Sequence, residues 1–212
     1  MLKRLFPSDV FPISPLQVLL YANYIFHAIG AVLNIGRLPD KDEELTERAE
    51  GWRSELRRRA PTREKYYFYG EGNNTSVCRV QNCVDEERLA IAEACGFNLR
   101  PLLDECNEEY ATDFENLREY SLAPAPHNVN FACPDTINHR YFLEELCNIE
   151  VILSVADAVG FSAPLTMGFA KIIRAAAGYP EPVQKHLFTV DDLIKFGAFR
   201  KNLPESCLDD LA

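Results

Sequence analysis

The sequence predicts an all-α domain. Three observations carry that prediction: apolar residues recur at helical spacing in successive segments, capping residues stand at their starts, and glycines stand at several of their ends. Only Tyr66-Tyr67-Phe68-Tyr69, bounded by Gly70 and Gly72, reads as extended, or as an aromatic turn lining a pocket.

Ser14 and Pro15 open the first helix as N-cap and first helical residue, and an apolar run carries it from Leu16 to Asn34 as one helix. Asp40 to Arg59 is a charged segment with an Asp40-x-x-Glu43 cap and Trp52 as its apolar anchor. A helix starts near Thr75 and stops at Gly96, with Val77, Val80, Val84, Ile91 and Cys95 on one face. Pro101 opens a short helix. Ser121 to Asp135 holds three prolines without a period and reads as a loop. Asn138 or His139 begins a long helix ending at Gly160. Pro164 opens the next, which closes at Gly178, and Thr189 with Asp192 forms the capping box of a last short helix.

A chain of 212 residues can build one substantial core, and 47% apolar with 25% charged residues is ordinary for a soluble globular protein. A net charge of −10 argues against nucleic acid and anionic membranes as partners. The longest apolar run is interrupted by Gln17, Asn23 and His27, which disfavours a membrane span. MLKRLFPSDVFP does not read as a secretory signal. Seven cysteines include no Cys-x-x-Cys pair, so reduced thiols in a cytoplasmic protein are expected, with Cys78, Cys95 and Cys147 set among apolar residues. Neither Gly-x-Gly-x-x-Gly after a strand nor Gly-x-x-x-x-Gly-Lys occurs, so neither of those nucleotide-binding routes is present.

Two polar features stand out. Asn23 and His27 are four residues apart and project from one face of a helix, with Asn34 within about 40° of them. Glu145 shares its face with Tyr141, Ile149, Ile152 and Ala156, while Arg140 and Glu144 have pairing distance at i,i+4. A carboxylate on an apolar face needs a partner or reaches water at the edge. A histidine is a suitable partner, because a carboxylate fixes its tautomer and stabilises its charged form.

Four stretches bring these features together: Asn23-x-x-x-His27 with Leu33-Asn34-x-Gly36; Phe68-Tyr69-Gly70-Glu71-Gly72 with Ser76-Val77-Cys78-Arg79-Val80; Asp85-x-Glu87-Arg88-Leu89-Ala90-Ile91-Ala92 running to Gly96; and Arg140-Tyr141-x-x-Glu144-Glu145. In order and spacing they resemble the C-terminal helical domain of the octopine/nopaline (opine) dehydrogenases over about residues 5–178, leaving a short extension over 179–212. The resemblance implies one multi-helix domain like the 6-phosphogluconate-dehydrogenase-type C-terminal helical domain. It implies a catalytic His27, an acidic partner Glu145, and Arg140, Asn23, Asn34 and Tyr69 toward substrate. Glu145-Leu146-Cys147 stands where the family usually has Asp-x-Pro, and Ala28 where it commonly has Pro. The implied reaction is reductive condensation of an α-keto acid with an amino acid. NAD or NADP would be bound by a Rossmann domain outside these 212 residues, in a longer product or a partner chain. The alternative expectation is a non-catalytic domain kept as a dimerisation or small-metabolite-binding module. A homodimer or the domain itself would then cover Leu5, Phe6, Phe11 and the first-helix face.

Overall fold

The computed structural model describes residues 13–38, 66–123, 133–179, 182–183 and 186–199. The charged segment at 40–59, the apolar residues Leu5, Phe6 and Phe11, and Cys207 lie outside them. The described residues form eight α-helices: α1 Pro15–Leu19, α2 Gly30–Leu33, α3 Thr75–Ala94, α4 Leu102–Tyr110, α5 Leu117–Leu122, α6 Arg140–Ala158, α7 Pro164–Ala177 and α8 Val190–Lys195. Two π-helical turns, Ile25–Ile29 and Phe68–Gly72, and a 3₁₀ turn, Ile35–Arg37, complete them. The fold is all-α, with no strand among the described residues.

Local chemistry starts and stops most helices where the sequence predicts. Ser14 Oγ accepts from the Gln17 N–H at 3.2 Å while Gln17 Oε1 accepts from the Ser14 N–H at 2.9 Å. Thr189 and Asp192 form the same reciprocal box on α8. Gly96 and Gly178 leave α3 and α7 with φ of +90° and +73°, where glycine avoids the Cβ penalty. The N-cap of α7, Ala163, has no side-chain acceptor. Glu87 of α3 supplies one, taking the Leu165 and Thr166 N–H groups at 2.9 Å each and the Thr166 hydroxyl at 2.7 Å.

Three expectations are corrected. The run from Leu16 to Asn34 is not one helix: it breaks at Leu20–Ala22 and resumes through the π-helical turn that carries His27. The break has a distant cause. Arg88 of α3, 0% exposed, donates through Nη1 to the Leu20 carbonyl at 3.1 Å, occupying an acceptor at the end of α1. Ser121 and Leu122, expected to open a loop, are helical, because Asn116 caps a short helix α5 that includes them; residues 124–132 of that expected loop lie outside the described residues. Cys147 is exposed, unlike Cys78 and Cys95, because it lies two residues from buried Glu145 and so on another side of α6.

The core is continuous. Helix α6 buries Ile149, Ile152, Val155 and Ala156 and packs most extensively on α7, with Arg174 Nε donating to Glu150 at 2.6 Å between them. Among the described residues no helix is long and apolar enough to cross a membrane.

Arg88 also donates from Nε to Asp85 at 2.7 Å, from Nη1 to Glu105 at 3.1 Å and from Nη2 to the Arg100 carbonyl at 2.6 Å, while Asp85 accepts the Leu102 N–H at 2.7 Å. Deleting one member of such a cluster leaves a buried charge uncompensated. Arg88→Ala is therefore expected to cost about 3–5 kcal/mol of stability in urea unfolding; a loss below about 1 kcal/mol would contradict this role.

Candidate active site

His27 sits in the middle of the Ile25–Ile29 π-helical turn and is 6% exposed. A π turn widens the helix and changes which side chains face inward, and such turns recur at functional sites. Tyr69 sits on the other π-helical turn, Phe68–Gly72. Asn34 staples the two: its amide nitrogen donates to the Gly30 carbonyl at 2.8 Å and to the Gly72 carbonyl at 3.1 Å. The approach requires a glycine. A Cβ at Gly30 would stand 2.8 Å from Asn73 Oδ1 and 3.0 Å from the Phe68 ring. Arg118 of α5 satisfies the second turn by donating to the carbonyls of Gly70 at 2.7 Å and Asn73 at 2.9 Å.

The pairing expected of His27 and Glu145 is present. His27 Nδ1 lies 2.8 Å from Glu145 Oε1, and Glu145, 4% exposed, takes a second hydrogen bond on Oε2 from Asn148 Nδ2 at 2.8 Å. An ionised carboxylate only accepts, so Nδ1 carries the proton and Nε2 is the nitrogen left to react. Nε2 is 3.2 Å from the Tyr69 hydroxyl. Burial, with Tyr141 beside it, pushes the Tyr69 phenol well above its ordinary value, and a ring protonated on Nδ1 accepts at Nε2. The imidazole plane is set by Tyr141, whose ring stacks on it at 4.1 Å and 10°. One charge, one fixed tautomer and one stacked ring thus leave Nε2, beside the Tyr69 hydroxyl, as the basic atom of the ring.

His27 and Tyr69 both border a cavity of about 420 Å³. His27, Tyr69, Tyr141, Asn23 and Arg140 line it; Glu145 lies behind His27, and Asn34 is not among the lining residues. Asn23 and Arg140 are exposed, and Arg140 does not pair with Glu144; its guanidinium lies over the Tyr141 ring at 4.8 Å. The wall from α4 brings Glu105 and Glu109, which the sequence did not single out. They are i,i+4 on the helix that Pro101 opens, and that spacing was the available signal. Burial, then Glu109 and Glu105, raise the Tyr21 phenol on the same wall to about 12. Burial raises the Glu105 carboxyl against the pull of Arg88. The cavity thus joins a cation on α6 and an imidazole to a two-carboxylate wall. Among the described residues no cluster suits a metal ion, and no strand leads into a glycine-rich turn that could cradle a dinucleotide.

A family model described as the alpha-helical domain of NAD/NADP octopine/nopaline dehydrogenase matches residues 14–177. The chain belongs to this family. Two D-nopaline dehydrogenases, from Agrobacterium vitis and Agrobacterium tumefaciens (strain T37), are each 51% identical to it over 201 residues, covering 92% of this chain and 49% of the relative. The chain therefore spans about half the length of these relatives. In this opine dehydrogenase helical domain the site histidine, its acidic partner and the arginine come from segments that the match includes.

The geometry ranks two substitutions. Glu145→Ala leaves the buried Nδ1–H without an acceptor and is expected to cost about 1–3 kcal/mol, whereas Tyr69→Phe opens Nε2 to the cavity and is expected to cost about 1 kcal/mol or less. Equal or reversed losses in urea unfolding would contradict the assigned hydrogen bonds.

Proposed function

We propose that this chain is the substrate-handling half of an NAD(P)-linked opine dehydrogenase, acting in the reductive condensation of an α-keto acid with an amino acid. The observation that carries the proposal is the buried His27–Glu145 pair, whose histidine lines a cavity together with Tyr69 and Arg140. The described residues do not fit a dinucleotide, so the proposal assigns NAD or NADP to a nucleotide-binding domain outside this chain, in a longer product or a partner. A match to about half of each relative supports that division.

Within the proposal each residue has a defined task. Arg140 pairs with a substrate carboxylate, for which a forked cation is suited. Asn23 and Tyr69 hydrogen-bond the reacting groups. His27 Nε2 takes a proton released by the amino acid's ammonium group. The free amine adds to the keto carbon, and that proton, returned by His27, together with a second one lost from the adding nitrogen, leaves with the keto oxygen as water to give an imine; NAD(P)H held outside this chain would supply the hydride that reduces it. Glu145 stabilises the imidazolium between the two transfers. Asn34 holds the two π-helical turns together and serves the substrate only through them. Glu109 and Glu105 on the α4 wall suit an amino acid with a positively charged side chain.

Two variants test this in a protein that includes the nucleotide-binding domain. His27→Ala is expected to lower turnover by about 10²–10⁴ with an unchanged circular dichroism spectrum; wild-type turnover in that variant would overturn the assignment of His27, and no turnover in the unsubstituted protein would favour a non-catalytic binding module. Glu109→Gln is expected to raise KM for a cationic amino acid about tenfold or more, with a smaller change in kcat; an unchanged KM would remove the acidic wall from substrate recognition.

A further inference from the structure

The helix that carries Arg140, Tyr141 and Glu145 is capped by an unusual residue. His139 is the N-cap of α6, with φ −62° and ψ 148°, and its Nδ1 accepts the Tyr141 N–H at 3.2 Å. Serine, threonine, aspartate and asparagine normally fill this position, and none of them loses its acceptor near neutral pH in the way an imidazole does. Neutral imidazole offers a lone pair at Nδ1 if the proton is on Nε2. Imidazolium has N–H at both positions, so protonation would set two donors against each other. It would also place a positive charge at the positive end of the helix dipole.

The capped residue is the one stacked on the site. The Tyr141 ring lies parallel to His27 at 4.1 Å, and the His139 ring meets the same tyrosine edge-on at 4.6 Å and 81°. A second bond fixes the turn before the helix, from the His139 N–H to the Thr136 carbonyl at 3.0 Å. The groups acting on His139 come from three sides: Asp135 in the preceding turn, Arg140 and Glu144 on α6, and His27 on the π-helical turn. Asp135 and Glu144 favour the charged ring, while burial, Arg140 and His27 oppose it. Burial is the largest influence, and the balance holds the imidazole below its ordinary value.

We propose that His139 is a titratable positioning residue: its neutral ring caps the first turn of α6 and so holds Tyr141 and Arg140 in register with His27. This rests on the reading of His27 as the proton carrier. Above the ordinary imidazole range the ring is neutral in folded and unfolded chains alike, and the cap is intact. As pH falls below that range, the unfolded chain binds a proton that the folded chain excludes. Stability then declines, and the loss is complete once pH passes below the folded value. The first turn of α6 is where that loss is felt, so the stacking of Tyr141 loosens before the core does.

The test uses the whole 212-residue chain. Exchange of the Tyr141 amide proton is followed against pH in the wild type, His139→Asn and His139→Ala, with the His139 ring protons recorded alongside. In the wild type, exchange corrected for intrinsic rate is expected to quicken at least tenfold as His139 becomes protonated. Asparagine, an effective cap that does not titrate, is expected to keep the amide protected throughout, and alanine to lose protection at every pH. Protection that ignores the protonation of His139, or that follows pH equally in His139→Asn, would overturn the proposal. In the protein completed by a nucleotide-binding domain, His139→Asn is expected to remove one protonation from the acid limb of the kcat/KM profile, and an unaltered limb would overturn it. Failure of the His27 reading is seen separately, as turnover that survives His27→Ala while the amide data still decide the cap.

Discussion

One guanidinium without exposed surface organises this domain. Arg88 takes the carbonyl at which α1 stops, a carbonyl just before α4, and carboxylates from α3 and α4. Burying a cation is costly, and such clusters are weak evidence for stability in themselves. What the cluster does is specify. It stops the first helix at Leu20, so that the chain re-enters helix in a different register. Through Glu105 it also draws α4 against the segment bearing His27. Glu105 on the cavity wall and the carbonyl at the end of α1 are thus held by the same charge.

The site is built on two wide helical turns instead of regular helix. Each contributes one end of the His27–Tyr69 contact, and Asn34 ties the Gly30 and Gly72 carbonyls together where Gly30 leaves room for the Phe68 and Asn73 side chains. Regular helix would place the side chains of this segment on different sides. Rigidity comes from behind: Glu145 is itself anchored by Asn148, and Tyr141 covers the ring face. A ring with a fixed tautomer, a fixed plane and both nitrogens held by Glu145 and Tyr69 has little freedom left to lose.

Much of this was legible in the sequence because helix ends are local. The Ser14 and Thr189 boxes, and the glycines after α3 and α7, state their function within four residues. Glu145 was legible as a carboxylate in need of a partner because its α6 neighbours at helical spacing are apolar. Its meeting with His27, 118 residues away, was reached through the family resemblance; no local pattern contains it. The π-helical turn was not legible. Residues 24–32 are buried on all sides, which erases the periodicity that distinguishes one helical register from another. The helix break was hidden for a related reason, since the donor responsible is 68 residues later. Arg140 misled in the other direction: pairing distance to Glu144 did not produce a pair, because the Tyr141 ring offers the guanidinium a nearer surface.

The domain holds a buried His27–Glu145 pair beside a cavity, has no strand among its described residues, and spans about half the length of its relatives. The central claim is that Glu145 holds the Nδ1 proton of His27 and leaves Nε2 to react. Nitrogen-15 NMR of the His27 ring in the folded chain tests it most directly. The account predicts a neutral ring protonated on Nδ1, with Nε2 the nitrogen that gains a proton on acidification. A neutral ring protonated on Nε2 would contradict it, because that nitrogen would then be a donor and the pair with Glu145 could not serve the proposed transfer.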